Sequence, residues 1–389
     1  MSEESIQRCA SERRLVKVTV SSGTDVDGCL LGATAESLLL RSDHNWKRDG
    51  WTLVLRRHVK RIQERKQGFQ DFALRLGLRR AAPRPPIEFE SGLRACLCAL
   101  ARHGGLVEIH FRSRTGFWVG RITRVGATSV SVRGVDPHGA WERKLEHAKL
   151  GSISHVAWDS LYARAYERML ARSGGARVPR RRTEPLDVRG RRAVSGALRA
   201  LEGSGKHVGC VLSGRGDREF SGYVVGVGAQ HVLLADWDTT KFDGWTVLRR
   251  SAITRVRRAR SDAEHDERRE QLGLAIPKPP FAIRSFDGVL RTLQRQRALC
   301  VLRLPGWDGS PAYGHFVRIE RRNGWRMWTR WHEFDGSLEP WLSNPPKSAG
   351  QVSAILFAGA YLDTYQANLL PKRRARSESR ARRRRARLL

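Results

Sequence analysis

Phe220 to Val256 reads FSGYVVGVGAQHVLLADWDTTKFDGWTVLRRSAITRV, and the patterning of this stretch decides the fold. Tyr223, Val225 and Val227 recur at period two, the spacing of a half-buried strand. A Gly-Ala-Gln-His turn leads into Val232-Leu233-Leu234. Trp245-Thr246-Val247-Leu248 follows, and then the pair Ile253 and Val256. Strands this short, with turns this frequent, predict most of a small, strongly bent five-stranded barrel. Residues 28–62 say the same thing again, as GCLLGATAESLLL, DGWTLVLRR and HVKRI.

The repetition extends well beyond this stretch. Gly28 matches Gly222, Gly32 matches Gly226, and Gly50-Trp51 matches Gly244-Trp245. Pro85-Pro86 matches Pro279-Pro280, and Gly120 matches Gly314, every pair 194 residues apart. A constant offset over that span means an internal duplication with few net insertions between the anchors. Near the end of each half the offset becomes 199, where Tyr162 and Tyr166 match Tyr361 and Tyr365.

Each half divides in two. The first module of each is the barrel-like stretch, at roughly 14–64 and 206–258. The second opens on an amphipathic helix, GLRACLCALAR (Gly92–Arg102) or GVLRTLQRQR (Gly288–Arg297). Strands follow, LVEIHF, FWVGRITRV and SVSVRG in one half and LCVLRL, YGHFVRIE and WRMWTRW in the other. Each second module ends in a strand that runs into a helix.

This order, a helix, a strand pair with a central glycine, a short run and a final strand, resembles the Sm-like fold. The FxGxV portion stands at Phe220-Ser221-Gly222-Tyr223-Val224. One residue displaced, it recurs at Phe117-Trp118-Val119-Gly120-Arg121-Ile122. Phe242 to Val256 also looks like small bacterial Sm-like proteins of uncharacterised function. The resemblance implies an N-terminal helix capping a five-stranded open barrel, with the central glycine letting a long strand bend. It also implies edge-to-edge association, so the two modules of each half are expected to pair through their open strands. SH3-like barrels share the strand rhythm, and the short base-binding motifs of Sm and Hfq proteins are not visible.

The expected fold is mainly β with helices (α+β), as four tandem Sm/SH3-like small barrels in two duplicated halves. The segments are barrel 1 at 1–66, a helix and Pro-rich connector at 67–91, and helix-framed barrel 2 at 92–171. A basic Gly/Pro/Arg linker at 172–194 leads to barrel 3 at 195–260 and a connector at 261–283. Helix-framed barrel 4 spans 284–371, and an Arg-rich tail at 372–389 is expected to be disordered when unbound.

Composition narrows the partners. The chain has 389 residues, 40% of them hydrophobic, enough for a folded core. The formal net charge is +33, of which the tail supplies ten basic residues against one acidic. The body is therefore strongly cationic too. Such an excess points to an anionic partner, although Arg-rich bias in a GC-rich genome contributes as well. The six cysteines form no framework, the N-terminal residues MSEESIQR carry no apolar run, and no stretch approaches 18 apolar residues. A cytoplasmic protein without a membrane partner, with cysteines packed as small core residues, is the expectation.

Catalytic and metal motifs are weak throughout. Gly203-Ser204-Gly205-Lys206 suggests a phosphate loop, but Ala200 stands where the first glycine should be and His207 where Ser or Thr should hold magnesium. A turn into the third barrel fits better. Cys96 and Cys98 point about 200° apart on a helix, too far to share an ion with His103 or His110. Asp236, Asp238 and Asp243 are read as a solvated acidic loop. No arrangement of nucleophile and base appears, so neither an enzyme nor a cofactor or metal is expected.

The strongest functional candidate is Trp325 to Trp331. On a strand Trp325, Met327, Thr329 and Trp331 share the core face, and Arg326, Trp328 and Arg330 share the other. An outward Trp between two Arg is suited to single-stranded nucleic acid, the ring stacking a base and the guanidiniums taking phosphates. The competing reading packs Trp328 beneath the preceding helix. Arg56 and Arg57, with Arg249 and Arg250, recur at strand ends and are either phosphate grips or solvated. Trp51 and Trp245 are expected to plug their own barrels. The paired tyrosines are expected to dock helices. Arg382, Arg383, Arg384 and Arg385 in the tail would bind any polyanion. The expected function is non-catalytic nucleic-acid binding, RNA ahead of DNA. The alternative is a protein-interaction scaffold whose barrels hold acidic or proline-containing peptides. Oligomeric state is not legible.

Overall fold

In the computed structural model the described residues are 1–44, 47–75, 87–113, 116–176, 185–213, 218–238, 241–281, 286–296, 300–303, 312–321, 325–332, 347–348 and 354–358, with residues 78, 85, 298 and 362. The chain divides into two compact units. Unit 1 is residues 1–180 with 271–273, and unit 2 is 181–270 with 274–389.

Unit 1 begins with α1 (Glu3–Ser11), β1 (Leu15–Val20), β2 (Asp25–Ala33), β3 (Ser37–His44), β4 (Lys47–Leu55) and β5 (Val59–Glu64). Helix α2 (Gln67–Arg75) precedes a second block of α3 (Gly92–His103), β6 (Val107–Phe111), β7 (Phe117–Val125), β8 (Ser129–Val135), β9 (Trp141–Lys149), β10 (Ile153–Trp158) and α4 (Leu161–Ser173). The ten strands form one antiparallel sheet in the order β5-β1-β2-β3-β4-β10-β6-β7-β8-β9.

Unit 2 repeats the plan. It opens with an added strand β11 (Leu186–Arg189) and then α5 (Arg191–Leu201), β12 (His207–Leu212), β13 (Arg218–Val227), β14 (His231–Asp238), β15 (Lys241–Arg249) and β16 (Ile253–Arg258). After α6 (Arg260–Gln271) and α7 (Phe286–Gln296) come β17 (Cys300–Arg303), β18 (Ala312–Arg321), β19 (Trp325–His332), β20 (Lys347–Ser348) and β21 (Ala354–Phe357). Its sheet order is β11-β16-β12-β13-β14-β15-β21-β17-β18-β19-β20.

The fold is therefore mainly β with helices, as the sequence led us to expect. The sheets are not closed into four separate barrels. In unit 1, β4 pairs with β10 of the following block, with Trp51 opposite Trp158 and Val54 opposite His155. In unit 2, β15 pairs with β21, with Trp245 opposite Phe357 and Leu248 opposite Ala354. The edge strand of one block is spent on the last strand of the next, and two blocks merge into one open sheet.

The bend in each block has a local cause that repeats four times. The second strand of every block carries a register shift three residues after its central glycine. The shifts lie at Leu30/Gly32, Ile122/Arg124, Val224/Gly226 and Phe316/Arg318, after Gly28, Gly120, Gly222 and Gly314. An added Cβ would sit no more than 2.5 Å from the carbonyl oxygen of Arg41 at Gly28, Arg133 at Gly120 and Ala235 at Gly222. Only glycine lets the backbones close to this distance where the strand turns.

The seam strand is buried on both faces. Trp51, Leu53 and Leu55 join Leu97, Leu100, Ile109 and Trp158 in a core under α3. Val54 points the other way, into the core of Ile6, Val18, Leu30 and Leu40. Trp245 and Val247 of β15 likewise pack with Leu290, Leu293 and Phe357, while Leu248 packs with Leu198, Val232 and Val256. The two tryptophans thus fill the core shared across the seam rather than plug the barrel of their own strand. Two-sided burial explains why WTLVL and WTVL read as unbroken apolar runs.

Candidate nucleic-acid interface

The sheet of unit 1 has two unequal outer faces. Over the first block, α2 packs against Leu15 and Cys29 through Phe69 and Ala73, with Leu78 alongside. Over the second block, α4 covers only one end. Tyr166 and Leu170 close over Leu106, Val119 and Val135, the helix being capped by the Ser160 hydroxyl, which accepts from Ala163 N–H at 2.9 Å. Trp141, at the start of β9, also packs against this core and lies close to Gly175, and farther along the β7–β9 face Arg121, Arg124, Arg133, Leu145, His147 and Lys149 are exposed.

Register places the side chains of that face in rows. Arg121, Arg133 and Leu145 stand opposite one another across β7, β8 and β9. Arg124, Ser131 and His147 form the next row, and Ser129 stands opposite Lys149 beyond it. Arg121, Arg124, Arg133, His147 and Lys149 are exposed or half-buried, and Leu145 is 48% exposed. Trp141, at the start of β9, lies within cation–π range of both flanking guanidiniums, with Arg133 at 5.0 Å and Arg121 at 5.4 Å from the ring centroid. Arg143 and Lys144 extend the cationic rim along the edge strand.

The acids of β9 face elsewhere. Glu146 pairs with the core residue Val132, and the Glu142 carboxylate lies over Gly134. Burial, with Glu146 and Asp136 nearby, raises the Glu142 pKa. Glu142 and Glu146 thus lie beside Gly134 and Val132, apart from the row of Leu145, His147 and Lys149. Among the described residues, none of Arg121, Arg124, Arg133, Arg143, Lys144 or Lys149 has a carboxylate partner. The first block differs, since there Arg14 pairs with Glu64, Lys17 with Asp25, Arg56 with Glu3 and Arg65 with Asp27. Cations on an edge strand alone would be explained by protection against strand addition. Arg121, Arg124 and Arg133 lie on interior strands, where that explanation does not apply.

The arginine pairs singled out from sequence are occupied by local structure. Arg56 Nη1 donates to the Thr34 carbonyl at 2.8 Å, and its Nη2 meets Glu3 at 2.5 Å. Arg57 Nη2 donates to the Leu150 carbonyl at 2.9 Å. Arg250 Nη1 donates to the carbonyls of Gly228 and Ala229, both at 2.9 Å, and its Nη2 reaches the Ser195 hydroxyl. Arg249 stands opposite His231 on β14, and burial lowers its pKa. Arg326, Trp328 and Arg330 lie on β19 opposite Glu320, Arg318 and His315 of β18. Their backbone is described and their side chains lie outside the described residues, as do Tyr361, Tyr365 and Arg382 to Arg385.

Other sequence motifs have structural roles. Residues 203–206 form the turn between α5 and β12, beside a cleft of about 540 Å³ whose lining includes Lys206 and Arg258 with Asp266, Glu267 and Glu270, Arg258 being paired with Asp266. Cys96 is buried in the core under α3. Tyr166 is buried in the docked face of α4, and its hydroxyl lies 3.1 Å from that of Tyr162. The Asp236 segment is strand, not a solvated loop. Burial pushes the Asp236 carboxyl up to about 8, although Thr246 donates to it at 2.5 Å, and burial brings Asp43 in unit 1 to about 7.

Reading the sequence alone missed β9. WERKLEHAK has too few apolar positions to look like a strand, yet Leu145, His147 and Lys149 alternate outward with Glu146 and Ala148 before a register irregularity toward Trp141. None of the helices among the described residues is long and apolar enough to cross a membrane. Among the same residues no cluster of His, Cys, Asp and Glu could hold a metal ion. No family model matches the sequence, and no curated protein matches it.

Proposed function

We propose that the chain binds nucleic acid without catalysing a reaction, RNA ahead of DNA, chiefly by arginine contacts to phosphate. The observation that supports this reading is the exposed cationic row on the β7–β9 face. Its cations have no carboxylate partner among the described residues, and two of their guanidiniums lie within cation–π range of Trp141. An arginine already stacked on an indole keeps its donors in a fixed plane, which suits a phosphate or the edge of a base. An aromatic ring beside phosphate-binding cations provides a stacking surface that tolerates any sequence.

The preference for RNA rests on reading each block as an Sm-like open barrel. The block order β5-β1-β2-β3-β4, the bulge after the central glycine and the single 3₁₀ turn before the last strand support that reading. The Arg326–Trp328–Arg330 strand and the arginine tail belong to the same proposal as further contacts.

Fluorescence titration of labelled poly(U) against the full chain tests it. Affinity is expected to fall steeply between low and moderate salt, and binding to poly(dT) of the same length is expected to be weaker. A flat salt response, or no binding tighter than about 10⁻⁴ M, removes the proposal. Partners captured from cells that survive nuclease treatment would favour the scaffold reading.

A further inference from the structure

The two units treat the same sheet edge differently. In unit 2 the outer edge of β16 is covered by β11, antiparallel, with Val188 opposite Val256 and Asp187 opposite Arg257. Asp187 also reaches diagonally to Arg255, accepting from its Nε at 2.7 Å and its Nη2 at 2.6 Å. Under this cover Val256 is fully buried, with Leu186 and Val188 packed against its core.

The matching strand of unit 1 is β5. The 194-residue offset places Arg61 at the position of Arg255, Ile62 at that of Val256 and Gln63 at that of Arg257. β5 pairs with β1 on one side, with Ile62 opposite Val18, and no strand pairs with its other side among the described residues. Arg61 is exposed with no carboxylate partner among those residues, and Ile62 is only half-buried. Ile62 and Arg61 thus repeat Val256 and Arg255, Gln63 and the Arg14-paired Glu64 replace Arg257 and Arg258, and among the described residues no strand occupies this edge.

We propose that the outer edge of β5 is a docking site for an extended acidic segment of a partner protein. The segment adds as an antiparallel strand. An aliphatic residue sits opposite Ile62, and the residue before it is a carboxylate opposite Gln63, diagonal to Arg61. The bound strand completes the backbone hydrogen bonding of the edge, and the alternate side chains select the sequence. Lys60, also exposed, adds to the positive charge of this strand. This interaction uses a different strand from the arginine face and does not depend on nucleic-acid binding.

The probe is a labelled peptide with the sequence of residues 183–190, TEPLDVRG, added to the full chain. The β16 edge already holds its own copy of this segment, so binding should fall on β5. Saturable binding is expected, with amide exchange slowed across residues 59–64 and unchanged across 253–258. Changing the aspartate of the peptide to lysine should weaken binding at least tenfold. Arg61→Glu should reverse that preference, so that the lysine peptide binds better than the parent. Because residue 61 is exposed, this swap tests recognition in a folded chain. No added protection at 59–64 up to millimolar peptide would overturn the proposal, as would protection that Arg61→Glu leaves indifferent to peptide charge. Concentration-dependent self-association that protects 59–64 without peptide would equally overturn it, by assigning the edge to a second copy.

Discussion

Removing the three interior cations of the β7–β9 face, as Arg121→Ala, Arg124→Ala and Arg133→Ala together, isolates that face from the rest of the charge. All three side chains are exposed and have no carboxylate partner among the described residues, so the change removes charge with little packing. The cost to the fold is the loss of two cation–π interactions with Trp141, about 0.5–1 kcal/mol each at an exposed site. Each phosphate neutralised on a single strand adds about 0.7 to the slope of log affinity against log salt. Taking away three phosphate-binding guanidiniums should therefore lower the slope by about 2, whatever the arginine tail adds. Between 50 and 200 mM salt the variant should lose roughly 20-fold less affinity for poly(U) than the parent chain. Arg56→Ala is the control, because Glu3 already neutralises that guanidinium, and its slope should stay within about 0.3 of the parent. The reasoning is refuted if the triple variant keeps the parent slope while deletion of residues 372–389 flattens it. In that case the tail, not the sheet face, meets the polyanion.

Three further predictions concern the fold. Gly222→Ala pushes a methyl against the Ala235 carbonyl and should destabilise by about 1–3 kcal/mol, read as a lower denaturation midpoint; an unchanged midpoint would mean the bend does not need that glycine. Trp51→Ala, which empties the seam core around Leu97 and Trp158, should cost about 3–5 kcal/mol, and slower amide exchange at 153–158 in the variant would contradict it. Burial raises the Asp236 carboxyl to about 8 from an ordinary 3.8, so the folded chain holds a proton that the unfolded chain releases. Its contribution is complete below pH 3.8 and is lost as pH rises through 8, at up to about 1.4 kcal/mol per pH unit. Asp236→Asn should remove that component and gain stability over the parent as pH rises from about 5 to about 8.5, measured by urea melts across the range. Parallel pH profiles for the two proteins would show that the carboxyl is not buried as described.

Much of this architecture was legible in the residues themselves. The glycine anchors at a constant offset of 194 established the duplication, because a bent strand tolerates nothing larger where another backbone passes so close. Period-two runs gave most strands, and helical spacing gave α3 and α7. Strand β9 escaped because a lone solvated edge strand buries little, and its sequence shows charge instead of alternation. The buried Asp236 escaped because its neighbours Trp237 and Asp238 look like a turn, and burial there depends on the packing of β14 against β15.

Local sequence thus determined most of the elements, their order and the repetition of one plan in two halves, but neither β9 nor β11. It could also suggest that blocks meet at their edges, since open strands need partners. It could not say which edges meet. The pairing of β4 with β10 joins residues about a hundred positions apart through backbone groups that every residue carries. The Arg121–Trp141–Arg133 cluster draws on three strands in the same way. Which side chains share a face is set by register, and only the folded sheet fixes register across strands that are distant in the chain.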